Sequence, residues 1–325
     1  MNIQQTLVIV KPDGIAKGLV GQILCYILSN GLSIIDNVRV HLNQEWTEKL
    51  YWGEEREVYF EEVVSWVSSA PVLFLKISGV DAINKIKWQI IGRYPSGIRG
   101  KYAENWIKNV AHASDSLESA NYELSLSEVF FERKREMDKK LFKGKTIFAL
   151  TGMSECGKST VGKYLESNGI PRLKIVKFFE KVRDKLSPGE ELYGFIEREE
   201  KRDPYFLWDT FINEILSEMN AREVNRVSIE SLYGGGLGPY LKQKLGNHFR
   251  LIYVDISLEI RLQRQIQREG LSSFEEAKKM LLPRDKVKTD SGIPELKEIS
   301  DEIIDNSETL NDLYKKIDDI IKSRR

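Results

Sequence analysis

Residues 6–42 read TLVIVKPDGIAKGLVGQILCYILSNGLSIIDNVRVHL. The β-branched run from Thr6 to Val10 ends at Lys11-Pro12-Asp13-Gly14, where proline and glycine break a strand. Apolar residues then recur at helical spacing from Leu19 and stop at Asn30-Gly31, a helix C-terminal signal, before a second extended run from Leu32. The stretch predicts strand, helix, strand. Beyond it, Gln44 to Ser69 reads as helix broken near Gly53, PVLFLKISG (71–79) as a strand and DAINKIKWQIIG (81–92) as helix. AENWIKNVAHAS (103–114) reads as a helix running into a last strand. The sum is a small α/β sandwich with a four-stranded sheet.

At 325 residues the chain is about twice the common domain size, so two domains are expected. The charged segment FERKREMDKKLFKGK predicts a linker over residues 131–144, and a fresh domain follows over 145–325. In that second half KTIFALTG, NRVSIES and FRLIYVDI read as buried strands alternating with helices, which implies a parallel sheet covered on both faces. EIIDNSETLNDLYKKIDDIIKS supplies a short strand and a closing helix.

Forty-nine basic residues balance forty-nine acidic ones, which argues against a global nucleic-acid or membrane field. Cys25 and Cys156 stand alone, without a disulfide framework or zinc spacing. No run of about eighteen apolar residues occurs. The expectation is a cytoplasmic protein with no membrane partner and no stable nucleic-acid partner.

Residues 152–159, GMSECGKS, match G-x-x-x-x-G-K-[ST] between an apolar strand and a helix. Gly152 and Gly157 permit a tight wrap that points N–H groups at a phosphate, and the helix N-terminus adds positive charge. The candidate nucleotide-binding set is Gly152, Met153, Ser154, Glu155, Cys156, Gly157, Lys158, Ser159 and Thr160. Lys158 would neutralise phosphate oxygens, and the Ser159 hydroxyl would take Mg2+. Glu230, at the end of RVSIE, is a candidate to hold the metal through water, with Asp255 as the alternative. Arg261, Arg264 and Arg268 share one helical face, where an anion would relieve their repulsion, and Arg284 lies downstream.

The stretch from Lys145 onward resembles the P-loop small-molecule kinases of the nucleoside monophosphate kinase and dephospho-coenzyme A kinase group. That likeness implies a P-loop NTPase domain using ATP and Mg2+, with Lys158 catalytic and Arg264, Arg268 and Arg284 in a lid. Lys174, Arg183 and Arg202 become candidates for an acceptor phosphate.

In the first half, TLVIVKPDGIAKGLVGQIL (6–24), IRG (98–100) and NVAHASDSLESA (109–120) closely resemble nucleoside diphosphate kinase. The resemblance covers about Thr6 to Phe130 and implies a ferredoxin-like sandwich with an antiparallel four-stranded sheet. It implies that His112 attacks a γ-phosphate and passes it to a diphosphate, with Glu123 and Ser114 in the catalytic group. Lys11, Tyr51, Tyr59, Arg99 and Asn109 correspond to the nucleotide-binding residues, and members of the family assemble into homo-oligomers. A neutral imidazole near pH 7 suits the nucleophile's role. Two family positions differ: Trp88 replaces a phosphate-binding arginine and Tyr94 a phosphate-contacting threonine, and the loop before GIRG is shortened. Arg93 or Lys87 would have to restore the lost charge. His41 and His248 read as structural or surface residues. The whole predicts a bifunctional nucleotide kinase. The alternative is a P-loop kinase for dephospho-coenzyme A or another metabolite, with a degenerate nucleotide-binding or oligomerising first domain.

Overall fold

A computed structural model describes residues 2–52, 57–93, 96–232 and 236–322. In chain order the elements are β1 (Ile3–Val10), α1 (Pro12–Ala16), α2 (Val20–Ser29), β2 (Ser33–Val40), α3 (Gln44–Leu50), α4 (Phe60–Val67), β3 (Val72–Val80) and α5 (Ala82–Asn84). A π-helical turn, Lys85–Ile91, precedes α6 (Gly97–Tyr102), β4 (Ala111–Ala113) and α7 (Leu117–Leu141). Then come β5 (Thr146–Thr151), α8 (Lys158–Ser167), β6 (Arg172–Lys174), α9 (Ile175–Leu186), α10 (Leu192–Arg202), α11 (Pro204–Ala221) and β7 (Arg226–Glu230). The chain closes with α12 (Leu237–Leu245), β8 (Phe249–Asp255), α13 (Leu258–Glu269), α14 (Phe274–Asp290), β9 (Glu302–Asp305) and α15 (Leu310–Lys322). None of the described helices is long and apolar enough to cross a membrane. Two compact units result, Met1–Met137 with Glu190–Leu207, and Asp138–Gly189 with Trp208–Arg325.

The first unit carries a four-stranded antiparallel sheet in the order β2-β3-β1-β4. Strand β1 occupies the centre because Leu7, Val8, Ile9 and Val10 are all apolar and fully buried, as a strand covered on both faces requires. Its register against β4 sets Ile9 opposite His112. Residues 103–110, expected to be helical, form no helix. The Asn105 side-chain carbonyl accepts the N–H groups of Ile107 and Lys108, at 2.9 and 2.8 Å, and such local bonds compete with the helix ladder. The charged segment from Phe131 is helical as far as Leu141. Ala120, Glu123, Ser127 and Phe131 continue one buried stripe at three- and four-residue spacing. The first unit also contains α10, which approaches α2 so closely that a Cβ on Gly21 would lie 2.1 Å from the Lys201 carbonyl oxygen. Arg39 of β2 is ion-paired with Asp203 at the end of that helix.

The second unit carries a five-stranded parallel sheet in the order β6-β7-β5-β8-β9. β6 pairs Arg172, Leu173 and Lys174 with Ser228, Ile229 and Glu230, a strand not among those expected from the sequence. Its three residues carry too little periodicity to separate it from α9. Phe148, Leu150, Val161, Leu165, Val254 and Ile317 pack into one core between sheet and helices. β5 lies at the point where the strand order reverses, and in open α/β sheets ligands bind outside the carboxyl ends of strands at that point.

Candidate active sites

The site in the first unit begins with backbone geometry. Val110, just before β4, has φ +65°, a conformation that a β-branched residue rarely adopts. It is held there from both sides: its N–H donates to Asp13 Oδ2 at 2.8 Å, and its carbonyl accepts the Lys11 N–H at 2.9 Å. Strain of this kind concentrates at functional sites, where the surroundings over-determine the conformation. The kink delivers His112 into a cavity of about 870 Å³.

His112 Nε2 lies 2.9 Å from Glu123 Oε1, and the other Glu123 oxygen accepts the Ser114 hydroxyl at 2.7 Å. Glu123 is buried on α7, so its carboxylate is held in place from two sides. The Tyr51 ring meets the imidazole edge-on at 5.6 Å between centroids. No described residue bonds to Nδ1, and with the Nε2 proton donated to Glu123 that nitrogen keeps its lone pair.

Lys11 is buried, donates to Asn109 Oδ1 at 2.8 Å, and sits 5.8 Å from the centre of the Tyr51 ring. Arg99, from α6, donates through Nε and a terminal nitrogen to the Ala111 carbonyl at 3.0 and 2.7 Å. These residues, with Tyr59, line the His112 cavity. Lys11 just after β1, Tyr51 at the end of α3, Arg99 on α6, His112 on β4 and Glu123 on α7, far apart in sequence, are brought to this one cavity by the fold.

Trp88 and Lys87 have exchanged parts relative to the pattern. Trp88 is 46% exposed and stacks against the Arg93 guanidinium at 4.8 Å. Lys87 is buried, lines the cavity, and donates to the Ala113 carbonyl at 3.2 Å. The π-helical turn accounts for this, because i→i+5 spacing rotates the side chains away from their α-helical directions. Burial, and next the neighbouring Arg99 charge, lower the Lys87 pKa. Of the two residues named to replace the lost charge, Lys87 reaches the cavity, whereas Arg93 covers the tryptophan. Tyr94 lies outside the described residues. Trp106, 88% exposed, also lines the cavity, and the pattern had not singled it out. His41 bonds to the Ser68 carbonyl and His248 to that of Lys145, each at 3.0 Å.

In the second unit the loop 152–157 joins β5 to α8. Gly152 and Gly157 have φ +134° and +103°. A Cβ would lie 2.4 Å from the Val254 oxygen at the first and 2.2 Å from Asn306 Nδ2 at the second, so neither position tolerates a side chain. Lys158 Nζ curls back onto the Gly152 and Met153 carbonyls at 2.9 and 2.7 Å. Ser159 donates its hydroxyl to Glu230, whose other oxygen accepts from Arg172. Asp255 is instead paired with Lys297 at 2.6 Å.

A cavity of about 550 Å³ opens here, lined by Ser154, Glu155, Gly157, Lys158, Ser159 and Thr160 together with Arg264, Arg268 and Arg284. Met153 and Cys156 are loop residues outside that lining; Cys156 is buried and its carbonyl accepts Asn306 Nδ2 at 2.8 Å. Glu155 draws Arg268 to 2.6 Å and Arg284 to 3.3 Å. Arg264 donates to the Asn306 carbonyl at 2.8 Å. Arg261 departs from the expected stripe: it is buried, pairs with Asp285, and donates to the Ser154 carbonyl at 3.2 Å. The other Asp285 oxygen accepts the Ser154 N–H at 3.1 Å, so this pair braces the loop from behind. Among the acceptor candidates, Arg183 meets Asp184 at 2.7 Å and Lys174 is exposed. Arg202 packs its stem over Gly18 and lies 3.7 Å from Glu199 within the first unit. None of the three lines the second cavity. Asp285 and Lys288, which do shape it, belong to no motif, and Asn306, which also lines it, follows β9 in the closing EIIDNSETL stretch.

Comparison with known proteins matches residues 4–135 to the family described as nucleoside diphosphate kinase. The chain is 39% identical over 139 residues to a nucleoside diphosphate kinase of Saccharolobus islandicus, covering 41% of this chain and 98% of that protein. It is 35% identical over 138 residues to one from Sulfolobus acidocaldarius, covering 41% and 92%. Among solved structures, the Aquifex aeolicus nucleoside diphosphate kinase is 34% identical, with a TM-score of 0.37, covering 38% of this chain and 94% of that one.

Proposed function

Because the chain belongs to the nucleoside diphosphate kinase family, through residues 4–135, we propose that His112 carries a phosphoryl group from a nucleoside triphosphate to a nucleoside diphosphate. The single observation that carries this is the 2.9 Å contact from Nε2 to Glu123, which leaves Nδ1 open inside a cavity lined with Lys11, Lys87 and Arg99. Nδ1 attacks the γ-phosphorus, the diphosphate leaves, and the proton on Nε2 stays with the Glu123 hydrogen bond throughout. The imidazolium-like charge that develops is stabilised by that carboxylate. The cations lining the cavity hold the phosphates, and Tyr51, Tyr59 and Asn109 flank the nucleotide.

The second cavity supports a further phosphoryl-transfer site, in which loop 152–157 is a phosphate-binding loop and ATP the donor. The support is the positive φ at both glycines, the helix N-terminus behind them and the cations at the rim. On this reading Lys158 leaves its backbone carbonyls to meet the phosphate, and a nucleoside monophosphate is the first choice of acceptor. The Ser159 hydroxyl and Glu230 carboxylate, already bonded to each other, are hard oxygen donors of the kind magnesium takes. Bound with the nucleotide, magnesium neutralises charge on the phosphates. The domain boundaries we propose remain 1–130 and 145–325, with residues 190–207 packed in the first unit.

Initial rates with ATP and a nucleoside diphosphate varied together test the first site: parallel double-reciprocal lines are expected, and intersecting lines contradict a phosphoenzyme. For the second, His112→Ala protein is offered nucleoside monophosphates, dephospho-coenzyme A and small metabolites, with Lys158→Ala as control. Transfer to no nucleoside monophosphate removes that choice of acceptor.

A further inference from the structure

Helix α14 brings to the second cavity a lysine with no part in the reading above. Lys288 Nζ lies 3.4 Å from the Gly152 carbonyl oxygen, the same atom that accepts Lys158 Nζ at 2.9 Å. Two ammonium groups therefore converge on one neutral carbonyl. Lys158 of α8, Cys156 of the loop and Asp285 on α14 itself are the charged or titratable groups that act on Lys288. The Asp285 carboxylate is already taken by Arg261 of α13 and by the Ser154 N–H. Across the cavity, Glu155 is taken by Arg268 and Arg284, and Glu308 by Lys316. Among the described lining residues, five cations (Lys158, Arg264, Arg268, Arg284 and Lys288) face only those two carboxylates. Burial, and next the charge of Lys158, lower the Lys288 pKa to about 7.

We propose that Lys288 is a second phosphate-contacting cation of this cavity, closing on the same phosphate as Lys158 and setting the affinity for polyphosphate anions. The proposal rests on the reading of loop 152–157 as phosphate-binding. A phosphate between the two ammonium groups replaces their repulsion with two charge-assisted contacts. It raises the bound-state pKa of Lys288, so binding above pH 7 draws one proton from the buffer onto Nζ. The sign follows from linkage: affinity is greatest below about pH 7 and falls as pH rises towards the bound-state value.

Titration calorimetry on the full chain with magnesium tripolyphosphate tests this at about pH 6 and about pH 8, in buffers of different ionisation heat. The binding lost in Lys158→Ala is the part that belongs to this cavity. Proton uptake is expected at the higher pH only. Lys288→Met should weaken that binding about tenfold at the lower pH and abolish the uptake. Lys288→Arg should keep the affinity while losing the uptake, and it decides the case should the methionine variant unfold. Parental affinity and uptake in Lys288→Met, or persistent uptake in Lys288→Arg, overturns the proposal. If Lys158→Ala removes no binding, the phosphate-binding reading of the loop itself fails, and the role of Lys288 fails with it.

Discussion

The His112 cavity and the loop 152–157 cavity both gather cations around open space, but they are built in opposite ways. In the first, side chains from α3, the π-helical turn, α6, β4 and α7 converge around His112 with Lys11 from just beyond β1, and the backbone contributes mainly a kink at Val110. In the second, loop backbone on which we propose a phosphate sits forms one wall, and side chains from α13 and α14 close the rim. A nucleophile site depends on the orientation of one ring, so a single positioning contact has a large effect. A backbone cradle spreads its contacts, so each cation has a smaller one.

Substitutions can break or sharpen this contrast. His112→Ala should lower nucleoside diphosphate phosphorylation by roughly four orders of magnitude or more, because it removes the proposed carrier, while any transfer at the second cavity is expected to persist. Glu123→Gln, measured as kcat against KM, should lower kcat on the order of a hundredfold with KM little changed, since the amide no longer fixes the tautomer or stabilises the charged ring. In the second cavity, Lys158→Ala should cost about a hundredfold in transfer to its acceptor and leave the His112 reaction unaltered. Arg261→Met tests the brace behind the loop. It strands Asp285 in a buried position, and chemical denaturation should register a loss of roughly 3–5 kcal/mol in the second unit. The smallest effects separate Lys87 from Trp88. Lys87→Met should raise KM for the nucleotide about tenfold, whereas Trp88→Ala, which removes an exposed ring stacked on Arg93, should change neither KM nor kcat appreciably.

Much of this was legible in the residues alone. Apolar runs marked β1, β5 and β8, and the apolar Val227 and Ile229 marked β7, because buried strands need apolar faces, and the two glycines of loop 152–157 announced a backbone that other residues cannot adopt. His112, Glu123, Lys11, Arg99 and Asn109 were singled out through the family resemblance that KPDG, IRG and NVAHASDSLESA carry, and they line one cavity. What escaped depends on partners distant in sequence. The π-helical turn changes which of Lys87 and Trp88 points inward, and periodicity tuned to α-helices cannot register it. Arg261 looked like its neighbours Arg264 and Arg268 until Asp285, on another helix, proved to be its partner. Lys288 and Asn306 reach the cavity only through tertiary packing, and residues 190–207 join the first unit through a close approach at Gly21 that no local signal encodes.

The central claim is that His112 is a phosphoryl carrier. Incubating the full chain with ATP labelled in its γ-phosphate, and then exposing the protein to acid and to alkali, tests it most directly. The expected label is one that acid removes, that alkali leaves in place, that a nucleoside diphosphate discharges, and that His112→Ala fails to acquire. Equal labelling of His112→Ala, or label that survives acid, would contradict it.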